Sequence, residues 1–227
     1  MLNISSVDEQ ALSEDDRAKI HKLTVRLYSV VTYRHRFAAA LRLCDKLNSD
    51  LAENSRQVEE SQALRTTDPS SYSRTFTALM DKGADIQHMI GVTYRDAIMT
   101  VFHLDKLLVK GVQAAVREVN FLNSRLDAKK IKASREPFLK KFPNAEALRN
   151  AIAHSAEQLM GRENSGYIES LLNREFTTSA KGKTFTFTLN SESLDAIDQS
   201  IAKLRYALNL YPGVPHYDDL ATSPLWK

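Results

Sequence analysis

From Ser13 to Asp68 the chain contains neither glycine nor proline, and through this stretch a seam recurs at alternate spacings of three and four. Ile20, Leu23, Leu27, Val30, Phe37, Leu41, Cys44, Leu51 and Val58 fall on it, with Arg34, Asn48 and Ser55 at the same spacing. With one apolar stripe and nothing to punctuate it, this stretch predicts a long amphipathic helix, or two helices with a soft junction at Tyr33-Arg34-His35-Arg36. The polar positions on the seam argue against an unbroken coiled coil and for a helical hairpin packed inside a bundle.

The rest of the chain supplies partners for that helix. Thr66 to Ser71 reads as a loop, with Ser70 or Ser71 capping the next helix. A second helical period, carried by Phe76, Leu79, Ile86, Ile90, Ala97, Val101, Leu104 and Leu108, runs from Tyr72 to Asn123. One straight helix of that length would extend ~70–80 Å at about 1.5 Å per residue, so a break is expected at Lys110-Gly111. The two long segments are expected to lie antiparallel. Phe142-Pro143-Asn144 opens a helix predicted over Ala145 to Leu159, ahead of Gly161. Leu171–Thr178 and Lys183–Leu189 flank Ala180-Lys181-Gly182, and the second run alternates Phe with Thr, the period of a half-buried strand. They read as two strands of one hairpin. Asn190 or Ser191 then caps a last helix carrying Leu194, Ile197, Ile201, Leu204 and Leu208. The expected fold is an all-α bundle over residues 1–210, with a β-hairpin at about 171–189 before its last helix. Residues 211–227, with three prolines, are expected to form an extended arm.

Composition narrows the chemistry. The 227 residues are 43% hydrophobic and 26% charged, ordinary for a globular protein. A net charge of +3 and a pI near 8.9 permit contact with phosphates without demanding it. Cys44 is the single cysteine, so the chain forms no internal disulfide and no cysteine-based zinc site, and a reducing compartment fits. Cys44 lies on the apolar seam and reads as a buried small hydrophobe. The N-terminus lacks a basic region followed by an apolar core, and no apolar run approaches the ~18 residues that span a bilayer. The cytoplasm is the expected location, with no membrane partner. The six histidines show no metal-ligand spacing, and no glycine-rich phosphate loop is present, so neither metal nor cofactor is expected.

One segment concentrates reactive groups: Arg149-Asn150-Ala151-Ile152-Ala153-His154. On a helix Asn150 and His154 are one turn apart on one face, and the long side chain of Arg149 can swing toward them. Ala151 and Ala153 leave room for a close neighbour. A permanent cation, an amide and an imidazole that titrates near neutrality are the groups needed to cut RNA without a metal. The histidine serves as general base on a 2′-hydroxyl or general acid on the leaving oxygen, and the arginine holds the phosphate.

At these residues the chain resembles the HEPN superfamily, whose signature is Arg, a polar residue, three variable residues and His near the start of a late helix. The order of elements, two long helices and then shorter ones with the motif late, is similar as well. The resemblance implies a metal-independent endoribonuclease of a toxin–antitoxin, abortive-infection or stress-defence system. It further implies a homodimer whose paired Arg149 and His154 form one composite cleft, with Asn150 orienting the pair. The alternative it leaves is a non-catalytic module binding nucleotide, RNA or a protein partner. HEPN toxins neutralised by a partner nucleotidyltransferase often carry a Tyr two positions after the motif His; here Ala156 stands there, which speaks against that form of antitoxin control.

Two further groups are candidates. Lys129, Lys130, Lys132, Arg135, Lys140 and Lys141 make the stretch from Leu126 to Lys141 basic. It is either a solvated helical face and connector or a surface that guides RNA, the five lysines being the RNA-binding candidates. On the second long segment Arg95, Asp96 and His103 are either a polar stripe of a bundle helix or support for the cleft.

Overall fold

The computed structural model describes residues 13–119, 126–153, 169–172, 175–180 and 183–208. It is mostly helical, with a small antiparallel sheet before the last helix. The first helix, α1, runs without interruption from Glu14 to Ser61. Ser13 caps it: its hydroxyl accepts from Asp16 N at 3.1 Å and donates to the Asp16 carboxylate at 2.9 Å. The polar residues on the seam are each accommodated. Arg34 donates Nε and Nη2 to the two carboxylate oxygens of Asp198 at 2.8 and 2.7 Å, a two-pronged geometry that only Arg supplies. Asn48 turns its amide back to the Cys44 carbonyl at 2.8 Å, and Cys44 itself is buried. With these groups satisfied, Tyr33 to Arg36 forms no junction.

The reading of Thr66 to Ser71 as a loop is corrected. Leu64–Thr67 is a single helical turn, α2, and α3 begins at Pro69 and runs to Asp105. The cap is Asp68, whose Oδ1 accepts from Ser71 N at 3.1 Å and from the Ser70 hydroxyl at 3.0 Å. Proline in the first helical position is pre-set for helix and lacks only a donor that would be orphaned, which makes Asp68-Pro69 a stronger start than either serine. The break expected at Lys110-Gly111 is also corrected. The helix widens into a π-helical segment over Lys106–Gly111, resumes as α4 over Val112–Glu118, and leaves helical geometry at Val119, with φ −104° and ψ 102°. Arg26 donates to the Gly111 carbonyl at 2.5 Å. A Cβ on Gly111 would lie 3.3 Å from the Lys106 carbonyl oxygen, so the missing side chain lets the wide turn close.

The basic stretch is two short helices, α5 (Ala128–Ser134) and α6 (Glu136–Lys141). Asp127 caps α5, accepting from the amides of Lys129 and Lys130 at 2.8 and 3.4 Å. Helix α7 covers Ala145–Ala153; the remainder of its predicted span, to Leu159, lies outside the described residues. The sheet has three strands in the order β1 (Glu169–Leu172), β2 (Glu175–Ala180), β3 (Lys183–Thr188), all antiparallel. The β2–β3 hairpin is as expected, but the run read as one strand over Leu171–Thr178 belongs to two, because the antiparallel register pairs Leu172 of β1 with Glu175 of β2. The last helix, α8, spans Ser191–Leu208, and the predicted arm, 211–227, lies outside the described residues.

The chain forms two compact units, with boundaries at Arg34–His35, Val101–Phe102, Pro143–Asn144 and Ser191–Glu192. In the first, Ile20, Leu23, Leu104, Phe138, Ile197 and Leu204 are buried, and the Phe138 amide donates to the Ser200 hydroxyl at 2.9 Å. Lys22 pairs with Glu118 at 2.9 Å and Arg26 with Gly111, so ascending residues of α1 meet descending ones, the antiparallel sense expected. In the second unit α7 packs on β2 and β3. Its core is aromatic: Phe187 meets Phe37 edge-on at 6.5 Å and Tyr94 edge-on at 6.3 Å, while Tyr94 stacks on Phe176 at 6.3 Å. Here too α1 and α3 run antiparallel, Arg36 pairing with Asp96 and Asn54 with Leu79. Two seam positions are displaced by one residue. Ala40 and Asn54 are buried where the spacing chose Leu41 and Ser55, which are half-buried and exposed. At the second of these, Asn54 faces Gly83, where there is room for it, and donates to the Leu79 carbonyl at 3.0 Å. Among the described residues no helix is long and apolar enough to cross a membrane.

Candidate functional site

Helix α7 positions the motif. Ala145, Leu148 and Ala151 are its buried residues, and the helix lies on the sheet. That stripe leaves Asn150 exposed on the other side and Arg149 half-buried at its flank, with Nε buried. Arg149 Nη1 donates to Asn150 Oδ1 at 3.0 Å, so the amide oxygen holds one arm of the guanidinium. The planar guanidinium carries its donors in a fork, a geometry suited to two oxygens of one phosphate. The neighbouring amide NH2 of Asn150 adds two donors at the same place, while its oxygen is occupied by the arginine. His154, one turn beyond Asn150, lies outside the described residues.

The other candidates have separate surroundings. Asp96, in the same unit as Arg149, is held by Arg36: Arg36 Nε reaches Asp96 Oδ2 at 3.1 Å, and Nη2 bonds the second oxygen. Asp96 thus ties α3 to α1, and Arg95 beside it is exposed. Tyr94, the residue before Arg95, is wholly buried in the aromatic core. His103 belongs to the first unit, where its ring stacks on Tyr33 at 5.0 Å and meets Phe102 edge-on at 5.6 Å.

The lysines also lie in the first unit. Lys129, Lys130, Lys132 and Lys140 are exposed, and Lys141 bonds the Glu192 carboxylate at 2.9 Å. Lys130 carries its ammonium 5.6 Å from the ring centroid of Tyr206 on α8, a residue that is 72% exposed. Sequence reading passed over Tyr206. Its only signal was an aromatic residue at a polar position of the last amphipathic helix, between Arg205 and the buried Ala207. Among the described residues no group of three or more His, Cys, Asp or Glu side chains is placed to hold a metal ion. No family model, no curated protein and no solved structure matches this chain.

Proposed function

We propose that this chain is a metal-independent endoribonuclease of HEPN type, acting as a homodimer in a toxin–antitoxin, abortive-infection or stress-defence setting. The observation that carries the reading is the Arg149–Asn150 hydrogen bond on α7, at 3.0 Å. It joins two of the three motif side chains, the half-buried Arg149 and the exposed Asn150, on a helix whose buried stripe is fixed against the sheet.

In the proposed reaction the guanidinium of Arg149 binds the scissile phosphate and stabilises charge that builds on its non-bridging oxygens. His154 of one copy takes the proton from a 2′-hydroxyl. The 2′-oxygen then attacks phosphorus and the bond to the 5′-oxygen breaks. His154 of the second copy gives a proton to that leaving oxygen. The products are a 2′,3′-cyclic phosphate and a 5′-hydroxyl, with no water and no metal consumed. Asn150 is a positioning residue that orients the guanidinium.

The test is cleavage of a labelled mixed-sequence RNA in EDTA by the wild type, Arg149→Ala, Asn150→Ala and His154→Ala. The histidine variant is expected to lose about 10²- to 10⁴-fold in rate, the loss of one general acid–base. The arginine variant is expected to lose about 10²- to 10³-fold, the usual effect of removing one charge-stabilising group. Asn150→Ala should slow cleavage less, and Asn150→Asp should restore the hydrogen bond to Arg149. Absence of cutting by the wild type across several RNAs and salt concentrations would leave a binding module in place of an enzyme. Equal cutting by all four proteins would remove the motif from the chemistry.

A further inference from the structure

In the first unit, α5 and α8 bring a cationic surface and an exposed aromatic ring together. Tyr206 is 72% exposed, the highest value among the described large hydrophobic side chains. Lys130 Nζ lies 5.6 Å from its ring centroid. Lys129 and Lys132 on α5 are exposed, as is Lys203, one turn before Tyr206 on α8. The acidic groups of these elements are committed or distant. Asp127 caps α5 through the amides of Lys129 and Lys130. Asp198 is held by Arg34 and Glu192 by Lys141. Asp195 lies about 16 Å before Tyr206 along the helix axis at ~1.5 Å per residue.

An aromatic ring standing in water among exposed lysines is the composition of a single-strand nucleic-acid platform: the ring stacks a base and the cations follow the phosphates. Lys130 over one face of the ring adds a cation–π contact, and with so much of the side chain exposed the ring keeps room for a base. We propose that Tyr206 is a base-stacking residue of a single-stranded RNA site, flanked by Lys129, Lys130 and Lys203 as phosphate contacts. The inference rests on RNA being the ligand of the proposed nuclease, and it adds an RNA-contacting residue in the first unit that lies outside the motif.

The test is fluorescence anisotropy of the full chain with a labelled 2′-O-methyl uridine 12-mer. This probe has no free 2′-hydroxyl, so binding is read without cleavage. Tyr206→Ala is expected to weaken binding about 5- to 150-fold, the loss of one stacked base. Tyr206→Phe should bind as the wild type does. Lys130→Ala should reduce the slope of log affinity against log salt by about 0.7, one phosphate contact on a single strand. Unchanged melting temperatures would separate these effects from misfolding. Wild-type affinity in Tyr206→Ala, or no binding by the wild type itself, overturns the platform. So does a defect that appears with anionic phosphatidylserine vesicles and not with the oligonucleotide. The two proposals fail separately. Normal binding by Tyr206→Ala, with cleavage that still depends on Arg149, sinks the platform alone. A binding defect in Tyr206→Ala beside a wild type that cuts no RNA sinks the nuclease alone.

Discussion

The same two helices, α1 and α3, behave differently at their two ends within the second unit. From Phe37 to Cys44 and from Ile90 to Val101, large side chains are fully buried: Phe37 and Tyr94 are 0% exposed and Ile98 and Val101 1%. From Asp45 to Ser61 and from Pro69 to Met89 the apolar residues of the seam, Leu51, Val58, Phe76 and Ile86, are only half-buried. In that stretch the buried side chains are those of Asn54 and Ser61. The sequence period is the same in both. What differs is a third layer. At one end the sheet brings Phe176 and Phe187 against Phe37 and Tyr94; at the other, among the described residues, each helix has chiefly its partner helix to cover it. Helical period therefore fixes which side of a helix faces inward, while the depth of burial depends on how many elements meet there.

The contrast breaks if truncation costs the same at both ends. Phe187→Ala removes the ring that Phe37 and Tyr94 both contact and is expected to destabilise by about 3–5 kcal/mol. Leu51→Ala, where the side chain already meets water, is expected to cost about 1 kcal/mol, half the transfer energy of a fully buried leucine. Denaturant unfolding measures both. In hydrogen exchange the amides of residues 45–61 and 69–89 should exchange before those of 37–44 and 90–101. Equal protection would mean that the two stretches unfold as one and that the missing layer does not matter.

A second test concerns the buried amide in the thinner stretch. Asn54 is 4% exposed, donates to the Leu79 carbonyl at 3.0 Å, and its Oδ1 finds no hydrogen-bond partner among the described residues. A Cβ on Gly83 would lie 2.9 Å from Asn54 Nδ2. Glycine inside a helix costs about 1 kcal/mol relative to alanine, so helix propensity by itself would make Gly83→Ala stabilising. With Asn54 present the amide must move and lose its bond, and the net effect is expected to be a loss of about 1 kcal/mol. With Asn54→Ala as background, Gly83→Ala should instead stabilise by about 1 kcal/mol. The coupling between the two substitutions is the quantity to measure. Additive effects would show that Gly83 does not serve the close approach of α1.

The same contrast explains how much was legible in the sequence. The helices, the β2–β3 hairpin and the buried Cys44 follow from period and turn residues, which act locally. Asn54 did not: its burial depends on a glycine on another helix, and no local pattern distinguishes it from Ser55. Arg34 looked like an interruption because its partner Asp198 is on the last helix. Lys110-Gly111 looked like a break because glycine weakens an α-helix, yet Arg26 donates to the Gly111 carbonyl and the helix continues in π geometry. At the site, Arg149 and Asn150 were legible because they are adjacent in sequence and their bond is local. Tyr206 was not, since the lysine over its ring comes from a distant helix.

The smallest expected effect lies at the start of α3, where the thinner stretch begins, and it has a defined pH dependence. The Asp68 carboxyl is held below its usual value of 3.8 chiefly by hydrogen bonding from Ser71 and then Ser70. In the same stretch Glu53 is lowered from 4.5 to about 2 by hydrogen bonds from Arg56 and then Gln57. A carboxylate with a lower pKa folded than unfolded contributes stability above the unfolded value, and that contribution disappears as pH falls through the folded one. Asp68→Asn keeps a side chain that caps well but cannot titrate. It should match the wild type in thermal midpoint most closely in acid, the wild type gaining on it as pH rises through about 4. Glu53→Gln should show the same trend between pH 4.5 and about 2, weakened by salt because both partners are exposed. A difference between Asp68→Asn and the wild type that stays constant from pH 2 to 7 would mean that the charge of Asp68 is immaterial and that its geometry alone starts the helix.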